Sequence, residues 1–519
     1  MSIASPVVKS FFHILEFLAC SSNGLLANCA SVSLFPTSSP ALAATERWNR
    51  VLARLDGLTQ ALLLALVIFT PWAFGTTQPW SIHLMNVGGY ALGAILAGKL
   101  ALRWMAKNGF SPSPSEPKHA GTPPGRPLTV ALFVTTFAIL AYILASAINA
   151  EFTYVGNEWR QEPHSHVNWL PHSLDREASW NVFWNWLALA CVFWAGHDWV
   201  TNDFAPEGQR KPQRLRRLVL VLGINGALVA LEGILQRNAG TPKLLWFMPT
   251  HDNPTASAQF GPYAYRSNAA QFFNLIWPLA LGVWWQRHLQ SSRRGQQHHW
   301  LLTAAMLLIA GALVSLSRAG VAVALLQMCA CGFLFFAHSR FNAASRLGIA
   351  IVFVATIGAA SYFGWDELTQ RLHGSADDPL GGRRETYQLA ARMTEDYPWF
   401  GVGPGAFGSV FQFYRNSPAD YWPGQLHNDW LEYLITFGRV GCTLLLIAAG
   451  IVAGRWFASD GLRTHWTFAA FIWIALAGCL LHARFDFPLQ IYSIQFVVVL
   501  LCAILFSISR SGRSGIGIS

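Results

Sequence analysis

The sequence predicts an all-α polytopic membrane protein of about twelve transmembrane helices, with a large outer loop between helices 9 and 10. Three observations carry this. Of 519 residues, 53% are hydrophobic and 12% charged, with 23 tryptophans, a balance unlike that of soluble domains. Apolar runs recur near the roughly 20-residue length that spans a bilayer. Arginine and lysine gather in every second connection between those runs, the bias that orients membrane helices.

Residues 1–56 read as an N-terminal leader. The stretch 11–35 is fairly apolar and is followed by Ala41, Leu42, Ala43 and Ala44, which has the form of a signal peptide. Polar residues interrupt the apolar part, however, and cleavage would place Arg47, Arg50 and Arg54 outside, so a cytoplasmic or interfacial leader is favoured. Helices 1–9 occupy 57–363, with apolar runs at 58–74, 82–102, 128–148, 180–196, 218–235, 269–285, 300–316, 320–337 and 347–363. A loop domain covers 364–429. Helices 10–12 occupy 430–508, at about 430–453, 466–481 and 488–506, and a cytoplasmic tail covers 509–519.

The basic connections hold Arg103 and Lys107, then Arg214, Arg216 and Arg217, then Arg287, Arg346, Arg455 and Arg510. Facing the cytoplasm, they put both termini inside. The net charge of +10 is spent on these short clusters and builds no basic face, so nucleic acid is not an expected partner. The eight cysteines all lie in apolar segments, against a disulfide framework or a thiolate metal site. There is no fixed-period repeat and there are no evident inverted halves. The long outer connections 149–179, 236–268 and 364–429 are therefore where function is sought.

Several arginines break the positive-inside pattern: Arg266 in FGPYAYRSNAAQFFN, Arg318 in the tight turn SLSRAG, and Arg383 and Arg384 in GGRRETYQLAARM. Each alone could snorkel to the headgroups. Together on one face, guanidinium forks suit the oxygens of a phosphate. The last segment reads as an amphipathic helix with Tyr387, Leu389, Ala390 and Met393 at helical spacing. DYPWFGVGPGAFGSVF, with Gly401, Gly403 and Gly405, is a shaped loop set close to a ligand or another backbone.

In QLHNDWLEYLITFGRVG, His427 stands just before an apolar run. It could simply neighbour a helix cap formed by Asn428 or Asp429. Alternatively it is a general base at the membrane boundary, its ring oriented by Asp429 or Glu432. Asn225 and Glu232 fall within the fifth span. His482, Arg484 and Asp486 cluster at the outer end of the eleventh, where Arg484 and Asp486 either pair or support the site. A metal-dependent version would use Asp377 and Asp378, or His164, His166 and His172; adjacent loop aspartates and scattered histidines make no ligand pattern, so no metal or other cofactor is expected.

The order of these motifs resembles the O-antigen ligase and polysaccharide polymerase superfamily. His427, Asn428, Leu431 and Gly438 fit its signature spacing, and the likeness extends to PWFGVGPGAF, SLSRAG, the FGPY segment with Arg266, and FDFPLQIYSIQF around Asp486. The resemblance implies a GT-C-like membrane glycosyltransferase, inverting and metal-independent, in the bacterial inner membrane with its active site facing the periplasm. The implied donor is an undecaprenyl-diphosphate-linked glycan, and the implied acceptor a hydroxyl on glycan, lipid A-core or protein. It further implies His427 as catalytic residue and Arg266, Arg318 and Arg384 on the diphosphate; Asn428, Asp429, Glu432 and Asp486 are read from their positions as supporting residues. Arg439 stands after Gly438 where an aliphatic residue is usual. A polymerase of the same superfamily is the alternative; a transporter would need polar groups near the bilayer midplane, whereas these gather at one boundary.

Overall fold

The computed structural model describes residues 40–109, 126–155, 160–201, 211–250, 255–290, 299–338, 343, 346–358, 383–416, 424–457 and 466–508. The chain divides into two units, Met1–Arg47 and Trp48–Ser519. The first is described only from Pro40; the site lies in the second. The helices are α1 (Pro40–Trp72), which begins in the first unit, then α2 (Pro79–Gly109), α3 (Arg126–Ile148), α4 (Arg176–Thr201), α5 (Lys211–Ala239), α6 (Arg266–Gln290), α7 (Trp300–Val314) and α8 (Arg318–Ala337). After them come α9 (Arg346–Gly358), α10 (Arg383–Asp396), α11 (Phe407–Phe411), α12 (Asp429–Phe457), α13 (Trp466–His482) and α14 (Tyr492–Ile508).

Among the described residues six helices are long and apolar enough to cross a membrane, and four shorter ones are apolar, so the chain is a multi-pass, predominantly helical membrane protein. The expected spans at 180–196 and 269–285 lie in α4 and α6, which are not among these ten. For α6 the reason is physical. Its first turns carry Ser267, Asn268, Gln271 and Asn274, all buried, and it lies against α5, α7, α8, α13 and α14. A helix surrounded by other helices can hold polar groups if they are bonded. Asn274 Nδ2 donates to the Gly320 carbonyl, and Gln327 Nε2 donates to the carbonyls of Asn274 and Ile474, pinning α6 to α8 and α13.

Other boundaries shift. The leader expected over 1–56 overlaps α1, which is helical from Pro40; residues 1–39 lie outside the described residues. The last span starts at Tyr492, because Pro488–Gln490 form a 3-10 turn. Two short antiparallel hairpins, β1 (Phe152–Val155) with β2 (Arg160–Pro163) and β3 (Lys243–Leu244) with β4 (Met248–Pro249), lie in the long outer connections 149–179 and 236–268. Asn225, read as a functional candidate in the fifth span, accepts from Trp72 Nε1 at 2.8 Å and donates to the Val67 carbonyl at 3.0 Å: it ties α5 to α1.

At the end bearing the basic connections, Lys99 pairs with Asp56 at 3.0 Å and Asp198 at 2.7 Å, while Arg214 pairs with Asp56 at 2.9 Å. Arg103 also binds Asp198. Charges this deeply buried must be paired, and the network joins α1, α2, α4 and α5.

At the other end, α10 turns Leu389, Ala390 and Met393 into a second apolar core with Leu174, Val402, Phe407 and Ile435. This core is built on a break in α12. Gly438 has φ 60° and ψ −171°, a region essentially reserved for glycine. The break frees the carbonyls of Ile435 and Thr436, which accept from Val402 (2.8 Å) and Gly403 (3.2 Å). In return the amides of Arg439 and Val440 donate to Pro398 and Trp399, each at 3.0 Å. Gly401, Gly403 and Gly405 all have positive φ, as the shaped loop requires, and the other backbone it approaches is α12. Tyr142 seals the junction, its hydroxyl 2.7 Å from the Phe437 carbonyl and 2.9 Å from that of Phe400. A methyl at Gly438 would collide with the Trp399 carbonyl and the Gly401 amide. Gly438→Ala is therefore expected to cost about 3 kcal/mol, read as a lower midpoint of thermal unfolding in detergent, with Gly450→Ala, where a methyl meets nothing, as the neutral control.

Candidate active site

His427 sits on the short segment leading into α12. Asn428 takes the capping position, its Oδ1 accepting from the Leu431 amide at 3.3 Å, so the histidine is released from that duty. Its own φ is 60°, a left-handed conformation that costs a non-glycine residue energy and persists only when surroundings impose it. Those surroundings are visible. Tyr387 on α10 donates to the His427 carbonyl at 2.7 Å, and the preceding amide, of Leu426, donates to Glu432 Oε2 at 2.6 Å.

The imidazole meets Asp486, whose Oδ1 lies 2.8 Å from Nδ1. A carboxylate only accepts, so Nδ1 carries the proton and donates; Nε2 of the neutral ring then has the free lone pair. The aspartate is 6% exposed and the histidine 25%: the anchor is buried and the ring reaches out. Burial works against a charged Asp486, yet the bond from His427 and its electrostatic interactions with His427, His482 and Arg383 hold its pKa below the usual carboxylate value. Its Oδ2 accepts from Ser267 Oγ and from Tyr265 at 3.2 Å. Phe487 lies edge-on to the imidazole at 4.6 Å and stacks on Tyr265 at 5.3 Å, so aromatic faces confine the ring on two sides.

The chain of bonds continues to the arginines. Ser267 directly follows Arg266, and Ser317 directly precedes Arg318; Ser317 Oγ donates to Ser267 Oγ at 3.0 Å. His482 Nε2 lies 3.0 Å from the same Ser267 oxygen, with its Nδ1 2.8 Å from Gln271 Oε1. His427, Asp486, Ser267 and Ser317 therefore form one continuous network, and Arg266 and Arg318 are the chain neighbours of its two serines. Arg266 is partly exposed and donates to the Ser257 carbonyl. Arg318 is exposed at the first turn of α8, where Ser317 caps the helix by accepting from Gly320, so the positive end of the helix dipole adds to its charge.

Of the paired loop arginines, Arg383 is the one that touches this network. It donates to the Phe485 carbonyl at 2.9 Å and lies 3.5 Å from the Tyr265 hydroxyl. Arg384 is exposed and bonds to nothing among the described residues. Asp429 and Glu432 do not orient the imidazole, contrary to the reading from local sequence: Asp429 Oδ2 accepts from the Leu489 amide at 2.7 Å, and Glu432 holds Leu426 as above. Nor does Asp486 pair with Arg484; its partner is His427, 59 positions away in the chain. That separation is why sequence spacing could not find it, although the grouping of His482, Arg484 and Asp486 was the available signal.

His164 bonds to Thr153 Oγ1, His166 to Glu151 and His172 to the Leu170 carbonyl, with the rings of His166 and His172 5.7 Å apart. Asp377 and Asp378 lie outside the described residues. Arg439 lays its guanidinium over the Trp399 ring at 5.6 Å, a cation–π contact that accounts for a cation at this position.

Compared with known families, residues 303–446 match the model described as O-antigen ligase. The match contains Arg318, Arg384, His427 and Gly438, while Arg266 and Asp486 fall outside it. No curated protein matches the chain.

Proposed function

We propose, from the O-antigen ligase domain at residues 303–446, that this membrane protein transfers a glycan from an undecaprenyl-diphosphate-linked donor to an acceptor hydroxyl on the periplasmic face of the inner membrane. In this reading the bundle has twelve spans in a GT-C-like arrangement. The observation that carries the proposal is the His427–Asp486 pair, which leaves Nε2 a free lone pair and is joined through Ser267 and Ser317 to two arginine-bearing helix starts.

Nε2 of His427 takes the proton of the acceptor hydroxyl as its oxygen attacks the anomeric carbon. The bond from that carbon to the phosphate oxygen breaks with inversion, and its electron pair leaves on the lipid diphosphate. Arg266 and Arg318, with the α8 dipole, carry the developing charge, a task that fixed guanidinium groups perform without a divalent ion. Asp486 holds the imidazolium that forms. Asn428, Asp429 and Glu432 position the backbone that presents His427, and Arg384 is free to reach the donor from the surface of α10.

Purified protein in nanodiscs, given a lipid-diphosphate-linked donor and a panel of acceptors, tests this by product mass. A new glycosidic bond, formed equally with and without chelator, is the expected result; donor movement across the bilayer with no bond formed would make the protein a transporter. A polymerase of the same superfamily would add the donor glycan to a second donor-linked glycan, and the acceptor panel separates the two. Arg318→Ala and Arg266→Ala are each expected to lower the rate at saturating donor about 10- to 100-fold, with lysine restoring only part because it offers a point charge instead of a fork.

A further inference from the structure

Arg237 stands in the last turn of α5, a place from which a cation ordinarily snorkels to the headgroups. Its guanidinium is turned to backbone instead. Nη1 donates to the Ser257 carbonyl at 3.2 Å, and Nη2 donates to the carbonyls of Gln259 at 3.0 Å and Ser315 at 3.2 Å. The two segments joined in this way are the ones that carry the candidate diphosphate arginines: Ser257 and Gln259 lead into Arg266, and Ser315 closes α7 three residues before Arg318.

The Ser257 carbonyl is a shared acceptor. The Arg266 guanidinium donates to the same oxygen, and the Arg266 amide donates to the next carbonyl, that of Ala258, at 2.9 Å. Arg237 therefore fixes the oxygen on which the Arg266 side chain rests. On the other side, the turn from α7 to α8 passes through Leu316 with φ 60°, a left-handed conformation that a non-glycine residue keeps only where its surroundings impose it. Two bonds impose it here: the one from Arg237 to the Ser315 carbonyl, and the one from the Ser317 amide to Ser315 Oγ at 3.3 Å.

The clamp is itself held in place. The Arg237 guanidinium lies 5.8 Å from the centre of the Phe260 ring, within cation–π range. Phe260 is buried against α5 at Gly233, where an added methyl would collide with the ring. A planar fork of donors can serve three carbonyls in fixed directions, which the compact ammonium of a lysine cannot. The geometry points to Arg237 as a positioning residue for the donor site: it sets the spacing of Arg266 and Arg318 for the two phosphates of a lipid diphosphate, and acts through them without touching the donor. The assignment rests on the reading that those two arginines bind a diphosphate.

The test is full-length protein in detergent titrated with undecaprenyl diphosphate that carries no sugar, the bound fraction being read by native mass spectrometry. Arg237→Ala and Arg237→Lys are each expected to weaken binding about tenfold; the lysine variant keeps the charge and decides the matter if the alanine variant fails to fold. Added to Arg266→Ala, Arg237→Ala is expected to cost less than about threefold more, because much of what it positions is already gone. In the transfer assay Arg237→Lys is expected to raise KM for donor with KM for acceptor unchanged, whereas a merely structural role would disturb both and lower the thermal midpoint. No binding by the wild type, less than about threefold weakening by Arg237→Lys, a further loss of about threefold or more in the Arg266→Ala background, or a KM effect shared by the acceptor would each overturn the assignment. Because binding is read without turnover, a chain that binds with the expected pattern yet forms no product would refute the transferase reading and leave the role of Arg237 standing.

Discussion

His427→Ala is expected to reduce transfer by about 10³-fold or more, to background, with normal expression and membrane insertion. The magnitude follows from what is removed. The imidazole is the one group in the network with a free lone pair, since the serines are committed to one another and to Asp486, and Asp486 is committed to the ring. The fold is expected to survive, because the helix cap is supplied by Asn428 and the backbone is held by Tyr387 and Glu432. Insertion is checked by size-exclusion elution and thermal midpoint, so that a loss of rate is not mistaken for a loss of protein.

Asp486→Asn is expected to lower the rate about 10²- to 10⁴-fold with little change in KM for donor. The amide keeps the size of the carboxylate and one oxygen for Ser267 and Tyr265. Turned toward the imidazole, however, its NH₂ donates to Nδ1 and drives the ring proton to Nε2, the position from which the acceptor would have to be deprotonated. The stabilisation of the imidazolium by a full negative charge is lost as well. A merely structural role for Asp486 would instead move the thermal midpoint and both kinetic constants together. Ser267→Ala, which removes one bond to Asp486 while leaving its charge, is the milder companion and is expected to fall between wild type and Asp486→Asn.

Much of this was legible in the chain itself, for identifiable reasons. Apolar runs and basic connections are long-range averages, and they located helices even where ends were wrong, as at Pro488, whose ring starts a 3-10 turn before α14. The α10 face was readable because helical spacing puts Leu389, Ala390 and Met393 on one side. The glycine loop was readable as a close approach, but its partner was not: only the break at Gly438, which exposes the α12 carbonyls to Val402 and Gly403, names it. His427 stood out by type and place. Its anchor did not, because local sequence offered Asp429 and Glu432 as nearer acids, and both are turned by the helix onto the backbone amides of Leu489 and Leu426. Arg383 and Arg384 are indistinguishable as letters; helix rotation alone sends one to Phe485 and the other to the surface.

The claim on which the rest depends is that the His427 imidazole accepts the acceptor proton. Transfer by His427→Ala in nanodiscs, measured with and without added imidazole, addresses it most directly. Background transfer that imidazole partly restores is the predicted result. Substantial transfer by His427→Ala in the absence of imidazole would contradict it.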